Sequence, residues 1–179
     1  QYPGVKITMR TGNSQDVISA LNAYDADIGV LGNMTDNPDF ERIKLGSTPI
    51  IAFAAWGVAD ELGEPASLKD IARYNLVFRE QGSKTRQKLE EAAKKQGVRL
   101  TGTIEAEGRE AVHEIVASGA GIGFVSEAEY GQDARLRQFQ ITGPVIPMEE
   151  SVMCLRQRSD VRLIRAFLDM AAKAGAQIS

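Results

Sequence analysis

Apolar positions along this chain switch repeatedly between the period of a strand and the period of a helix. Val5-Lys6-Ile7-Thr8-Met9 alternates as a half-buried strand does, and from Gln15 to Tyr24 the apolar residues Val17, Ile18 and Leu21 fall at helical spacing. Asn13 and Asp16 stand where a near capping box opens that helix. Ile28-Gly29-Val30-Leu31 reads as a short buried strand, so the first unit reads as βαβ with parallel strands. Asn33 to Glu41, with Pro38, reads as a loop; Ile43 to Leu45 and Pro49 to Ala54 read as strands, the second apolar throughout and hence central.

Beyond Trp56 the same logic continues. Ser67-Leu68-Lys69-Asp70 is a capping box opening a short helix to Arg73. Leu76 to Phe78 is a strand, Thr85 to Gln96 a helix stopped by Gly97, and Gly102 to Ala106 a strand. Arg109 to Ser118 is a helix with Ala111, Val112, Ile115 and Val116 on one face and Gly119 as its stop. Ile122 to Val125 is a strand, Glu127 to Gly131 a turn of helix, and Leu136 to Ile141 a strand. After an irregular stretch with Pro144 and Pro147 come a last strand, Ser151 to Leu155, and a last helix, Asp160 to Ala174, with Val161, Ile164, Phe167, Leu168 and Ala171 facing inward. Strands alternating with helices predict the α/β class.

Two stretches share one design. Thr11-Gly12-Asn13-Ser14 and Gln81-Gly82-Ser83-Lys84-Thr85-Arg86 each follow an apolar run and open an amphipathic one. Each reads as a strand, a glycine turn and a helix start, where orphan N–H groups and about half a positive charge suit a small anion. Arg86 adds a permanent cation with a planar fork. The pairing suggests two Rossmann-like lobes facing one ligand. Gly57 to Pro65 then reads as the crossing out of the first lobe and 143–150 as the crossing back. Lobe I would comprise 1–56 and 151–179, lobe II 66–142, with a ligand cleft between two hinge-crossing strands.

Composition narrows the classes without choosing among them. The 179 residues are 43% hydrophobic and 25% charged, as in an ordinary globular protein. No apolar run approaches the ~20 residues of a membrane span, which argues against a membrane partner. The single cysteine, Cys154, excludes an internal disulfide and fits a reducing compartment. A net charge of −3 with interspersed basic residues argues against this chain gripping nucleic acid by itself.

With these elements in place, the sequence resembles the effector-binding domain of LysR-type transcriptional regulators, whose fold is that of type 2 periplasmic binding proteins. The pieces that carry the likeness are Tyr2-Pro3-Gly4-Val5, Gly12-Asn13-Ser14 with Leu21, Ala26-Asp27-Ile28-Gly29-Val30, Ser67-Leu68-Lys69-Asp70-Ile71-Ala72, Phe78 through Arg86, and Ile115 through Phe124. They occur in the family's order over nearly the whole chain. The Gly-Asn-Ser and Gly-Ser-Lys-Thr-Arg pieces look most like members associated with aminoethylphosphonate catabolism. In the family a winged helix-turn-helix DNA reader, a linker helix and a strand–helix pair precede the Tyr-Pro-Gly segment. This sequence starts at Gln1, and the DNA reader is expected outside it.

The resemblance implies a cytoplasmic effector sensor, not an enzyme, that works as a homo-oligomer (a dimer or tetramer) and reaches DNA through the attached reader. It implies helices 14–24 and 84–96 as contact elements. Its site would hold a phosphonate, carboxylate or sulfate-like metabolite, with no cofactor and no metal. Carried over residue by residue, Asn13 and Ser14 fall at the first-lobe helix start and Gly32 and Asn33 after a strand. Gln81, Gly82, Ser83, Thr85 and Arg86 fall on the second-lobe loop, and Gly108, Arg109, Val125 and Ser126 at further strand ends facing the cleft. All follow predicted strands, where ligands sit in open α/β sheets. The alternative is an extracytoplasmic solute-binding protein on the same fold, and a third reading is a small anion-handling enzyme.

Each candidate also has a plain structural role. Ser14 and Ser83 read equally as plain helix caps, and Arg86 stands at the i,i+4 spacing from Glu90, which leaves it an anchor either of the ligand or of its own loop. Gly119-Ala120-Gly121-Ile122-Gly123 lies after a helix and before a strand, the reverse of a dinucleotide fingerprint. His113 is the only histidine, falls on a polar helix face and reads as solvated; Cys154 reads as a small core residue. Trp56 reads as packing, near the hinge or the cleft.

Overall fold

A computed structural model describes residues 2–32, 37–63 and 65–178. Six helices pack on a sheet of seven strands: α1 (Ser14–Asn22), α2 (Trp56–Leu62), α3 (Leu68–Ile71), α4 (Lys84–Lys95), α5 (Arg109–Ala117) and α6 (Arg162–Ile178). The strands are β1 (Gly29–Gly32), β2 (Phe40–Ala55), β3 (Ala66–Ser67), β4 (Leu76–Arg79), β5 (Gly102–Ala106), β6 (Ile122–Ser126), β7 (Leu136–Phe139), β8 (Ile141–Thr142) and β9 (Pro147–Leu155). The main sheet runs β1-β9-β2-β6-β4-β5 with β7 beside β2, while β3 and β8 form a separate parallel pair.

The sheet has two halves because β2 changes partners along its length. Residues 40–49 pair antiparallel with β9, and residues 50–55 pair antiparallel with β6 and β7. The sequence reading broke this strand in two at Gly46-Ser47-Thr48, whereas the chain continues through all sixteen residues. The register shift between Lys44 and Gly46 is the reason: a bulge bends the strand without ending its ladder. At the handover Pro49 stands opposite Pro147.

In the first half, α1 packs Val17, Ile18 and Leu21 against Leu31, Met153 and Leu155, and α6 covers the opposite face with Ile164, Leu168 and Ala171 against Val152 and Cys154. Cys154 is a core residue, as expected. Val161 and Phe167, expected inward, are exposed, since Val161 precedes the helix and Phe167 sits off the Ile164–Leu168–Ala171 stripe. The strand expected at Val5 to Met9 does not form, and Ile7 and Met9 are 80% and 86% exposed. Alternation suits a residue run to a sheet, but a strand needs a ladder partner, and among the described residues no strand pairs with this run, whose Val5 N–H instead turns back to the Tyr2 carbonyl. The first unit is therefore not a parallel βαβ; β1 pairs antiparallel with β9.

The second half is the parallel one. β4 pairs in parallel with β5 and β6, with α4 covering one face and α5 the other. Ser67 and Asp70 form the expected capping box on α3, and Gly97 and Gly119 stop α4 and α5 at φ +68° and +84°. The expected strand 136–141 divides into β7 and β8, and residues 57–62, read as part of a crossing, join Trp56 to form α2. His113 is half-buried rather than solvated: its ring lies 5.7 Å from that of Phe53, and Nδ1 is 3.7 Å from Asp133.

Candidate functional site

β4 delivers the chain to a tight turn. Gly82 there has φ +90°, a conformation that favours glycine, and Ser83 begins α4. Its N–H donates to the Glu80 carbonyl, and no side chain caps the helix, so the first-turn N–H groups stay available. Ser83 and Thr85 are only 5% and 7% exposed, and neither hydroxyl has a hydrogen-bond partner among the described residues; both oxygens keep an open side, since Ser151 Oγ is the one fully enclosed side-chain oxygen without a partner among them. Two partnerless hydroxyls with an open side, at an uncapped helix start, form a donor set ready for an acceptor.

The copy of the design at the start of α1 differs. Asn13 Oδ1 accepts from the N–H groups of Gln15 and Asp16 at 2.9 and 3.1 Å, and Asp16 Oδ2 accepts from Asn13 N–H at 3.1 Å. Its own cap and the Asp16 charge close this helix start to an anion, while the third position of α4 carries Arg86 instead. The two turns nevertheless meet. A Cβ on Gly82 would lie 3.0 Å from Asn13 Oδ1 and 3.2 Å from Gln15 Oε1, so the absence of a side chain there permits the approach.

Thr85, but not Ser83, Gly82 or Asn13, also lines a cavity of about 240 Å³ at the ends of β4 and β6, together with Arg79, Arg109, Val125, Glu129 and Tyr130 among others. Arg79 grips Glu80 with two bonds of 2.8 Å, and Glu80 also accepts from Gly108 N–H at 3.1 Å. Burial alone would raise the Glu80 carboxyl; the Arg79 guanidinium and the N–H groups of Glu80 and Gly108 outweigh it and hold it at about 2. Arg109 reaches Glu110 at 3.2 Å and Glu129 at 3.1 Å. Ser126, fully buried, shares a 2.8 Å bond with Thr48 Oγ1, which also accepts from Ala128 N–H at 3.4 Å.

On β9, Glu149 pairs with Arg42 and Lys44, but Glu150 has no hydrogen-bond or ion-pair partner among the described residues. Its register explains this: Gly32 of β1 and Gly46 of β2 stand on either side, so neither neighbouring strand offers a side chain. Burial and the nearby Glu129 push the Glu150 carboxyl up, against a smaller opposite pull from Arg109.

Among the sequence candidates, the turns bring Asn13 against Gly82 beside Ser83, and Thr85, Arg109 and Val125 line one cavity. Gly108 is held by Glu80 and Ser126 by Thr48; Ser14 opens α1, and Gly32 lies beside Glu150, where a Cβ would meet the Met148 methyl at 3.0 Å. Gln81 is exposed on the turn. Arg86 is engaged away from the cavity, with Glu90, Glu105 and the Arg79 carbonyl, and lies over the Phe78 ring. Asn33 lies outside the described residues. Thr48, Glu80, Glu129 and Glu150 were missed. Only the sheet register reveals Glu150, while the strand-end positions of Glu80 and Glu129 were a usable signal. His113, Glu114 and Asp133 come close enough to hold a cation, but Arg135 bonds both carboxylates and supplies the positive charge itself.

The family described as LysR substrate binding domain matches residues 1–176. The chain is 30% identical over 176 residues to a phosphonates import ATP-binding protein PhnC of Anaeromyxobacter dehalogenans, covering 95% of this chain and 35% of that protein. It is 28% identical over 126 residues to the HTH-type transcriptional activator CmpR of Synechocystis sp., covering 70% of this chain and 41% of the other. The regulatory domain of CcmR from Synechocystis PCC6803, solved in complex with 2-PG, superposes with a TM-score of 0.83 at 18% identity, over 97% of this chain and 85% of that one. The chain spans only about a third to two-fifths of these two curated relatives. The fold is the mixed α/β architecture of type 2 periplasmic-binding-like effector domains.

Proposed function

The chain belongs to the LysR substrate-binding domain family, and from that premise we propose that it is the effector-sensing part of a transcription regulator that binds a small anion between two lobes. The single observation that carries the anion reading is the open start of α4, with its free first-turn N–H groups and the unpartnered hydroxyls of Ser83 and Thr85. The 2-PG complex of the similar CcmR domain and the phosphonate-import name of one relative support a small anionic ligand.

In this reading lobe I is 1–56 with 151–179, lobe II is 66–142, and the ligand's acidic head sits on Ser83, Thr85 and the α4 N–H groups. Gly82, Gln81, Asn13, Ser14, Gly32, Gly108, Arg109, Val125 and Ser126 shape the surrounding cleft. Arg86 fixes the loop that carries Ser83. Binding biases the relative setting of the lobes by its differential affinity for the two arrangements, and an attached helix-turn-helix reads that bias at DNA. The domain performs no chemistry and works in the cytoplasm as a homo-oligomer through helices 14–24 and 84–96; among the described residues no helix is long and apolar enough to cross a membrane.

Calorimetric titration with phosphate, sulfate, methylphosphonate and acetate tests this. At least one binds, and Ser83→Ala combined with Thr85→Val weakens it about a hundredfold or more, since each of the two lost hydrogen bonds to a charged group is worth about 1.5 kcal/mol at the low end. Binding of none of these four, or of all with equal strength to the double variant, refutes the reading.

A further inference from the structure

Three helix starts gather around the turn that carries Ser83. α4 begins from it, Asn13 and Gln15 at the start of α1 lie against Gly82, and Glu80 reaches the start of α5. α4 and α5 are near equivalents. They follow the parallel neighbours β4 and β5, which end side by side where Arg79 stands opposite Ala106. They are 12 and 9 residues long, and neither Ser83 nor Gly108 caps its helix with a side chain. By helix dipole and orphan N–H groups alone, an oxyanion is drawn to both. Their occupancy differs. The N–H of Glu80 donates to the Ala106 carbonyl at 3.2 Å, so the sheet ladder carries Glu80 to the start of α5. There Glu80 Oε2 accepts from Gly108 N–H at 3.1 Å and from Arg79 Nε at 2.8 Å, while Oε1 accepts from Arg79 Nη2 at 2.8 Å. A guanidinium fork on both oxygens, joined by an N–H of a helix start, is how a free carboxylate or sulfate is held. Here the anion held is the chain's own.

We propose that Glu80 is the built-in occupant of a second oxyanion site, formed by Arg79 and the Gly108 N–H, and that by filling this competing helix start it directs the effector's acidic head to α4. The direction given to the effector rests on the reading above; the second site itself does not. The Arg79 and Glu80 side chains are 17% and 14% exposed, so water competes weakly for their bonds. The Glu80 carboxyl is held at about 2 and is therefore an anion throughout the neutral range. Because it is tethered beside the site, it acts at an effective concentration above that of a dilute free metabolite. Glu110, in the first turn of α5, adds a further negative charge there and engages Arg109. The start of α1 is closed in the same manner by Asn13 and Asp16. Of the three starts, α4 alone keeps its donors, and the chain offers one register to an incoming acid where the helices alone would offer several.

The test titrates sulfate into the nitrogen-15-labelled chain and follows its amide resonances, with and without Glu80→Ala. In the unaltered chain sulfate moves the amides of Ser83, Lys84 and Thr85 and leaves Gly108 in place. In Glu80→Ala the Gly108 amide moves as well, half-saturating at a sulfate concentration about tenfold or more below any that moves it in the unaltered chain, the scale of one charge-assisted hydrogen bond. Adding Arg79→Met abolishes the Gly108 response and keeps the response at Ser83. A Gly108 amide that stays fixed in Glu80→Ala, that already follows sulfate in the unaltered chain, or that responds without Arg79 overturns the inference. Amides 83–85 that never respond, beside a Gly108 that responds in Glu80→Ala, overturn the effector reading and leave the second site standing. Should Glu80→Ala not fold, acetate, which is the missing group as a free ion, restores its circular dichroism where sodium chloride of equal ionic strength does not. Equal effects of the two salts overturn the inference.

Discussion

Arg86→Met separates an anchor of the loop from an anchor of the ligand. The guanidinium donates to the Arg79 carbonyl at 2.8 Å and to Glu90 at 2.9 Å, pairs with Glu105, and sits 5.5 Å from the Phe78 ring centroid. Glu90 and Glu105 are about half exposed, so solvent screens those pairs to about 0.3–0.5 kcal/mol each. The charged bond to the carbonyl is worth about 1.5 kcal/mol. The cation over the ring adds about 0.5 kcal/mol. Methionine keeps much of the stem's packing. The loss is therefore about 3 kcal/mol, or a fall in melting temperature of about 6–12 °C for a chain of this length. Urea unfolding followed by circular dichroism measures the first quantity, and calorimetry with the probe anion measures affinity. The reasoning requires stability to fall while affinity stays within about threefold at a temperature where the variant remains folded. A variant of unchanged stability with a tenfold weaker anion complex would place Arg86 on the ligand and refute the assignment.

Two further outcomes follow from the geometry. Glu80 has its carboxyl held at about 2 in the folded chain against about 4.5 ordinarily, so its contribution is present above pH 4.5 and is lost as pH falls toward 2. Glu80→Gln should therefore flatten the acid limb of stability between those values by about 2 kcal/mol, measured by urea midpoints across pH; an unaltered limb would refute the Arg79–Glu80–Gly108 clamp. Gly123→Ala places a Cβ 2.7 Å from Phe53 Cζ and 2.8 Å from Val116 Cγ2, which should cost about 1–3 kcal/mol in urea unfolding, whereas unchanged stability would contradict that close packing.

Much of the second half of the fold was legible because its signals are local. Gly102 to Ala106 matches β5, Ser67 and Asp70 announce α3, and Gly97 and Gly119 stop their helices where sequence places the stops. The errors fall where partners far along the chain decide. Val5 to Met9 alternates correctly yet lacks a neighbour, and Gly46 interrupts a pattern without interrupting a ladder. The site divides the same way. Ser83 and Thr85 stand in a recognisable strand–glycine–helix sequence, and the Asn13/Asp16 box that closes the other copy was visible as well. Glu150 was not, because nothing local distinguishes it from Glu149; only the glycines that the sheet sets beside it leave it unpaired.

Proline at both Pro49 and Pro147 has a mechanical consequence. Neither residue owns an amide hydrogen, so the rung where the long ribbon passes from one half of the sheet to the other has no donor on either side. The adjacent bond from Ile50 N–H to the Ile146 carbonyl, at 2.8 Å, holds the ribbon beside that rung. The crossing between the halves is therefore donated to from the neighbouring rungs, and two prolines fix its backbone φ where the partners change.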